Sequence, residues 1–129
     1  MADGHSDARI LRHLLPDNLR KTFIERFQLH SQEEVLTGAK KIVAKFFFPA
    51  GRYTFYAIEG EPEGSDFVFY GYCISPVGED CDEWGYVTLS EFLSIRLGPL
   101  HMERDIHFPV AKQTISEVCP KADFSAAAA

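Results

Sequence analysis

The chain has 129 residues, of which 46% are hydrophobic and 13% aromatic, with eleven Phe, and its formal net charge is −6. This excludes a disordered or collagen-like chain and suits one α+β domain, residues 1–129, with a core of its own. No apolar run approaches the ~20 residues of a membrane helix, and no basic excess marks a duplex-DNA binder.

The charge is unevenly placed. Glu59 to Glu91 holds nine acidic residues and neither Lys nor Arg, while the first third is mildly basic. The acidic group Glu79, Asp80, Asp82 and Glu83 reads as a solvated loop, facing a basic partner if it faces any. Cys73, Cys81 and Cys119 form no C-x-x-C pair, so a zinc site of the usual spacing is not expected. Met1 to Asp7 is polar, without the apolar stretch of a signal peptide. Free thiols in a reducing cytoplasm are the plain expectation.

In chain order, residues 1–6 read as frayed. Ile10, Leu11, Leu14 and Leu15 keep helical spacing, with Ser6 or Asp7 as the cap. Pro16-Asp17 interrupts, and Leu19, Phe23 and Phe27 mark a second amphipathic helix capped by Asp17. Ser31-Gln32-Glu33-Glu34 fits a capping box opening a short helical turn that ends near Gly38. The period then changes. Lys41 to Phe48, Arg52 to Ile58 and Asp66 to Ile74 are rich in β-branched and aromatic residues and are joined by the Pro49-Ala50-Gly51 turn and a loop from Glu59 to Ser65, connections too short for crossovers, which predicts an antiparallel meander. Tyr53 and Phe55 share one face of the second strand and Tyr56 takes the other. Phe67 and Phe69 oppose Tyr70 and Tyr72 in the third. A sheet apolar on both faces has to be covered twice, by helices or by a partner. Trp84 to Val87 is a short strand. Thr88-Leu89-Ser90-Glu91 is a capping box for a helix stopped by Gly98-Pro99. Met102 to Phe108 reads as a final strand, giving a sheet of four or five strands. Thr114-Ile115-Ser116-Glu117 caps a short helix ended by Pro120, and residues 122–129 read as a frayed end.

Neither a P-loop, a G-x-G-x-x-G, an H-E-x-x-H nor a G-x-S-x-G sequence is present. The dense signal is Trp84 to Phe108. Together with Lys45-Phe46-Phe47-Phe48-Pro49, this stretch resembles a family of small bacterial proteins classed as a domain of unknown function and commonly carried on plasmids, integrative elements and phages. The matching residues continue with Gly85 to Phe92, Gly98-Pro99-Leu100 and the closing E-R-D-x-H-F run, Glu103 to Phe108. Two departures stand out: Leu97 separates Arg96 from Gly98, and His101 stands where the family usually has a second Gly. The family is sometimes labelled a single-stranded DNA endonuclease.

Taken as a straight strand, Glu103 to Phe108 puts Glu103, Asp105 and His107 on one face and Arg104, Ile106 and Phe108 on the other. Two carboxylates and a His invite a metal reading, but Glu103 and His107 would stand about 13 Å apart. At most a neighbouring pair could share an ion, with Glu91 or His101 as a third ligand, in the manner of a hard-cation nuclease. The structural reading makes Arg104 a clamp on the covered face, paired with Glu91 or another carboxylate. Tyr56, Tyr70 and Trp84 could stack bases if exposed beside Lys41 and Lys45. Aromatics at strand spacing otherwise belong to the core.

The sequence thus supports an accessory protein of mobile elements that acts through protein contacts, without cofactor or resident metal. The alternative is a metal-dependent single-stranded DNA nuclease using a divalent ion, with Glu91, Glu103, Asp105 and His107 as catalytic candidates. A membrane partner is not expected, and the oligomeric state is left open.

Overall fold

A computed structural model describes residues 4–127, with side-chain surroundings for residues 7–123. Its central sheet has five antiparallel strands: β2 (Ala44–Phe47), β3 (Thr54–Glu63), β4 (Asp66–Ile74), β5 (Glu83–Thr88) and β8 (Glu103–Arg104), in the order β5-β4-β3-β2-β8. The short pairs β1 (Lys41–Ile42) with β9 (Gln113–Thr114), and β6 (Arg96–Leu97) with β7 (Leu100–His101), stand beside it. The α+β reading and the meander β2–β4 are therefore present as expected, with β5 added to it, but residues 59–63 are not a loop: β3 runs on to Glu63, because Glu59 to Glu63 stay paired with Tyr70 to Asp66.

Both faces are covered by the chain's own helices. On one face, α1 (Gly4–Leu14), α2 (Asp17–Arg26) and α3 (Leu89–Ser94) bury Leu14, Phe23 and Phe92 against Phe46, Phe55, Phe67 and Phe69. Seven of the ring pairs there lie 5.0–5.9 Å apart at tilted or edge-on angles, the arrangement ring quadrupoles favour. On the other face, α4 (Ile115–Val118) and α5 (Pro120–Ala127) cover Ile58, Tyr56 and Tyr72. Gly71 sits in the middle of β4, where an added Cβ would collide with the backbone at Tyr56 on β3.

Local signals fared unevenly. Both late capping boxes form: the Thr88 and Thr114 amides donate to Glu91 and Glu117, each at 2.8 Å. The Ser31 box does not. Residues 28–35 make consecutive three-residue turns, because Gln32 is drawn into the core, where its amide group bonds Lys41 and Ile58 backbone. The turns are fastened by buried Glu59, whose carboxylate accepts the His30 and Gln32 amides. Helix α1 begins at Gly4, ahead of both expected caps, and Asp17 is the first residue of α2, with Pro16 in the cap position. Helix α3 ends at Ser94, and a two-residue turn with Gly98 at φ 59° makes a hairpin of β6 and β7. Helix α4 ends at Val118, ahead of Pro120, and Pro120 itself starts a further helix, α5, in which Ala122 is fully buried. Residues 1–3, 128 and 129 of the expected frayed ends lie outside the described residues.

Asp82 is the main correction to the acidic-loop reading. Glu79, Asp80 and Glu83 are exposed, but the Asp82 side chain is only 2% exposed. Arg52 from the β2–β3 turn holds it bidentately, both contacts at 2.7 Å, and Lys121 of α5 donates to it at 2.8 Å. It also accepts the Ser75 amide at 2.7 Å. The Arg52 guanidinium first, with Lys121 and the Ser75 amide, holds this carboxyl well below the usual carboxylate range. Its contribution to stability is therefore complete above the ordinary Asp value and is lost as pH falls toward the lowered one. Asp82→Ala also strands the buried Ser75 amide, which by itself costs about 1–3 kcal/mol. Thermal unfolding should show a clear loss for Asp82→Ala and an unchanged midpoint for Asp80→Asn.

Candidate polar cleft at the β2–β8 edge

The K-F-F-F-P run and the E-R-D-I-H-F run meet at one place. β8 pairs with β2 through Phe46↔Arg104 and Phe47↔Glu103, and the Asp105 amide extends the ladder to the Lys45 carbonyl at 2.9 Å. An open cleft of about 550 Å³ lies here, lined among others by His13, Lys45, Glu103, Arg104, Asp105 and His107. Glu103, Asp105 and His107 thus reach one cleft. Glu91 does not line it; its carboxylate closes the Thr88 cap.

The strand ends sooner than its alternation suggested. The Asp105 carboxylate accepts the His107 amide at 3.0 Å, and its carbonyl accepts the Phe108 amide at 3.1 Å. This Asx-type turn breaks the period of two. Phe108 consequently turns to the Tyr56 ring, 6.4 Å away on the α4/α5 face, while Ile106 is 61% exposed. Arg104, Ile106 and Phe108 do not share a face.

Lys45, Arg104 and Asp105 at the cleft already have work in the fold, whereas the Glu103 carboxylate makes no hydrogen bond or ion pair among the described residues. Lys45 faces Asp105 at 3.7 Å. The Arg104 guanidinium donates to the His13 carbonyl at 2.8 Å, tying β8 to the C-terminal end of α1, where the helix dipole favours a cation. The expected Arg104–Glu91 pair is not formed, because Glu91 is spent on its own helix cap. Burial pushes the Arg104 guanidinium down from its ordinary value, yet Arg stays charged at neutral pH. The Arg104 amide donates to His13 Nε2 at 3.2 Å, which requires an unprotonated nitrogen there. Burial first, then Arg104, pushes the His13 imidazole below its ordinary 6.5. Among the described residues, no three His, Cys, Asp or Glu side chains are placed to hold a metal ion.

The aromatic candidates separate. Tyr56 is 9% exposed, with Lys45 and Phe108 over it, and offers no open ring face. Tyr70 and Trp84 are half-buried and stack on each other at 5.7 Å, and the Trp84 indole N–H donates to the Ala122 carbonyl at 3.0 Å. Tyr86, 4.8 Å from Tyr70, is the open ring at 59% exposure. Sequence reasoning passed over it, although its alternation with Trp84 put it on the same face. Burial first, then Asp82 and Glu83, pushes the Cys73 thiol up to about 11, above the range of activated cysteines.

Comparison with known proteins adds one finding. A family model described as "Protein of unknown function (DUF2958)" matches residues 14–127. No curated protein and no solved structure matches the chain.

Two outcomes test the cleft as a structural joint. Arg104→Ala removes the donor to the end of α1 and should cost about 1–2 kcal/mol in chemical denaturation. Because the unfolded chain binds the His13 proton more readily than the folded one, stability falls as pH drops below about 6.5. His13→Gln keeps an acceptor but cannot titrate, so this part of the pH dependence should flatten.

Proposed function

We propose that this chain, which belongs to the DUF2958 family of proteins of unknown function, is a non-enzymatic accessory protein that acts through contacts with another protein. The carrying observation is the division of labour among its side chains. The polar residues nearest to a catalytic constellation are engaged in the fold: Arg104 holds α1, Asp105 closes its turn and faces Lys45, and Glu91 closes a cap. Beside them stand exposed apolar groups: Leu97 and Ile106 are each more than half exposed, in shallow clefts that both include Gly51 and Arg52 of the β2–β3 turn. Exposed apolar groups near shallow clefts suit protein contacts. The setting on mobile elements rests on the resemblance of the K-F-F-F-P and E-R-D-I-H-F runs alone. The free thiols Cys73, Cys81 and Cys119 suit a reducing cytoplasm.

One observation favours a second reading, a nuclease acting on single strands: the cleft does gather Lys45, Glu103, Asp105 and His107. Incubating the protein with labelled single-stranded DNA across a Mg²⁺ and Mn²⁺ titration separates the two. The proposal expects intact strands at every metal concentration. Cleavage that disappears in Asp105→Asn, with folding unchanged by circular dichroism, would replace it with the nuclease reading.

A further inference from the structure

Strand β5 is the outermost strand of the sheet, and no strand pairs with its outer side among the described residues. It is six residues long, Glu83–Thr88, as long as or longer than a typical strand. Natural sheets blunt such edges with Pro, Lys, a bulge or a very short strand, because an open edge recruits other chains. β5 has none of these: it contains neither Pro nor Lys, and its register with β4 runs unbroken from Val68↔Thr88 to Cys73↔Glu83, although its last amide, Thr88, is already taken by Glu91. At the opposite edge, β8 is only two residues long and lies against the end of α1. The protection is one-sided.

Resting on the protein-contact reading, we infer that the outer edge of β5 is a docking strand for a basic, extended segment of another protein, which adds to the sheet as a sixth strand. Main-chain hydrogen bonds would hold such a segment, and its side chains would set the specificity. Charge selects the occupant. Glu83 is exposed at the start of β5 and Asp80 just before it, neither in an ion pair among the described residues, while neighbouring Glu79 faces Lys121 at 3.7 Å. On the α4/α5 face, the open Tyr86 ring beside Tyr70 and Trp84 offers a surface for an incoming Lys or Arg. A second copy of this chain fits less well. Two β5 strands paired antiparallel about a two-fold would bring Glu83 of each toward the Thr88 end of the other. Glu91 and Asp66 already sit at that end, the first on the Thr88 amide and the second on the Ser90 amide. Carboxylates would meet at both ends of the pair.

The test uses the full chain, a short fluorescent peptide alternating Lys with Val, and the same peptide with a central Pro. The Lys/Val peptide should bind in fluorescence anisotropy and weaken about tenfold as salt is raised, since exposed charges are screened. The Pro peptide should not bind, because Pro lacks a ladder N–H and resists the strand. Amide shifts in isotope-edited NMR should centre on residues 83–88, and Glu83→Lys, an exposed substitution, should weaken binding about tenfold. Absence of binding, or equal binding of both peptides, would overturn the inference. Shifts centred on Lys45 and Asp105 would overturn it too, while leaving the protein-contact reading in place. A concentration-dependent dimer that Glu83→Lys alters in analytical ultracentrifugation would hand the edge to a second copy.

Discussion

Phe69 and Tyr72 lie three residues apart on β4, both fully buried, on opposite faces of one sheet. The strand therefore has no solvent face, and everything else in the molecule answers to that. Helices α1, α2 and α3 cover the Phe69 side, and the last third of the chain returns to cover the Tyr72 side. Among the ties that hold the return are the β1–β9 pair, the Trp84 indole on the Ala122 carbonyl, and Lys121 on Asp82. The cover thins toward β5, where Tyr70 is half-buried and Tyr86 open.

The polar groups serve the same requirement. Asp82 joins the β2–β3 turn, the β4–β5 loop and α5 in one contact set, and Arg104 fastens the end of α1 to β8. Glu59, buried on β3, holds the turns that lead from α2 to β1. These ties bring a buried charge to several hydrogen bonds at once, the condition under which such burial is tolerated. They also account for the uneven chemistry of the cleft, whose charges converge in space but largely face structural partners.

The parts of the structure legible in the sequence were those with a short-range cause. Alternation sorted Phe67 and Phe69 from Tyr70 and Tyr72, and the spacing of Thr88 to Glu91 and Thr114 to Glu117 foretold two formed caps. The identical spacing at Ser31 misled, because a cap signal competes with tertiary demand, and Gln32 found three backbone partners across the core. Asp82 looks like its acidic neighbours until Arg52, thirty residues earlier, folds onto it. In the cleft, alternation carried Glu103 and Arg104 to opposite faces and then failed at Asp105, whose side chain bonds the backbone two residues on. The partner of Arg104 was out of reach altogether: a helix-terminal carbonyl leaves no mark on residue type.

The topology also sets an order of events in time. β2 to β5 pair with their neighbours in the chain, so their contacts close short loops. β8 reaches β2 from the far side of β3, β4, β5 and α3, and gains two paired residues, the Asp105 contacts with Lys45 and the Arg104 tie to α1 for closing that long loop. Long loops close late and small pairings open easily. The wall of the cleft is thus the last part of the sheet to arrive during folding and the first to leave in native-state fluctuations. Anything that occupied the cleft would lock that last step, and so stabilise the strand that joins the chain's two halves.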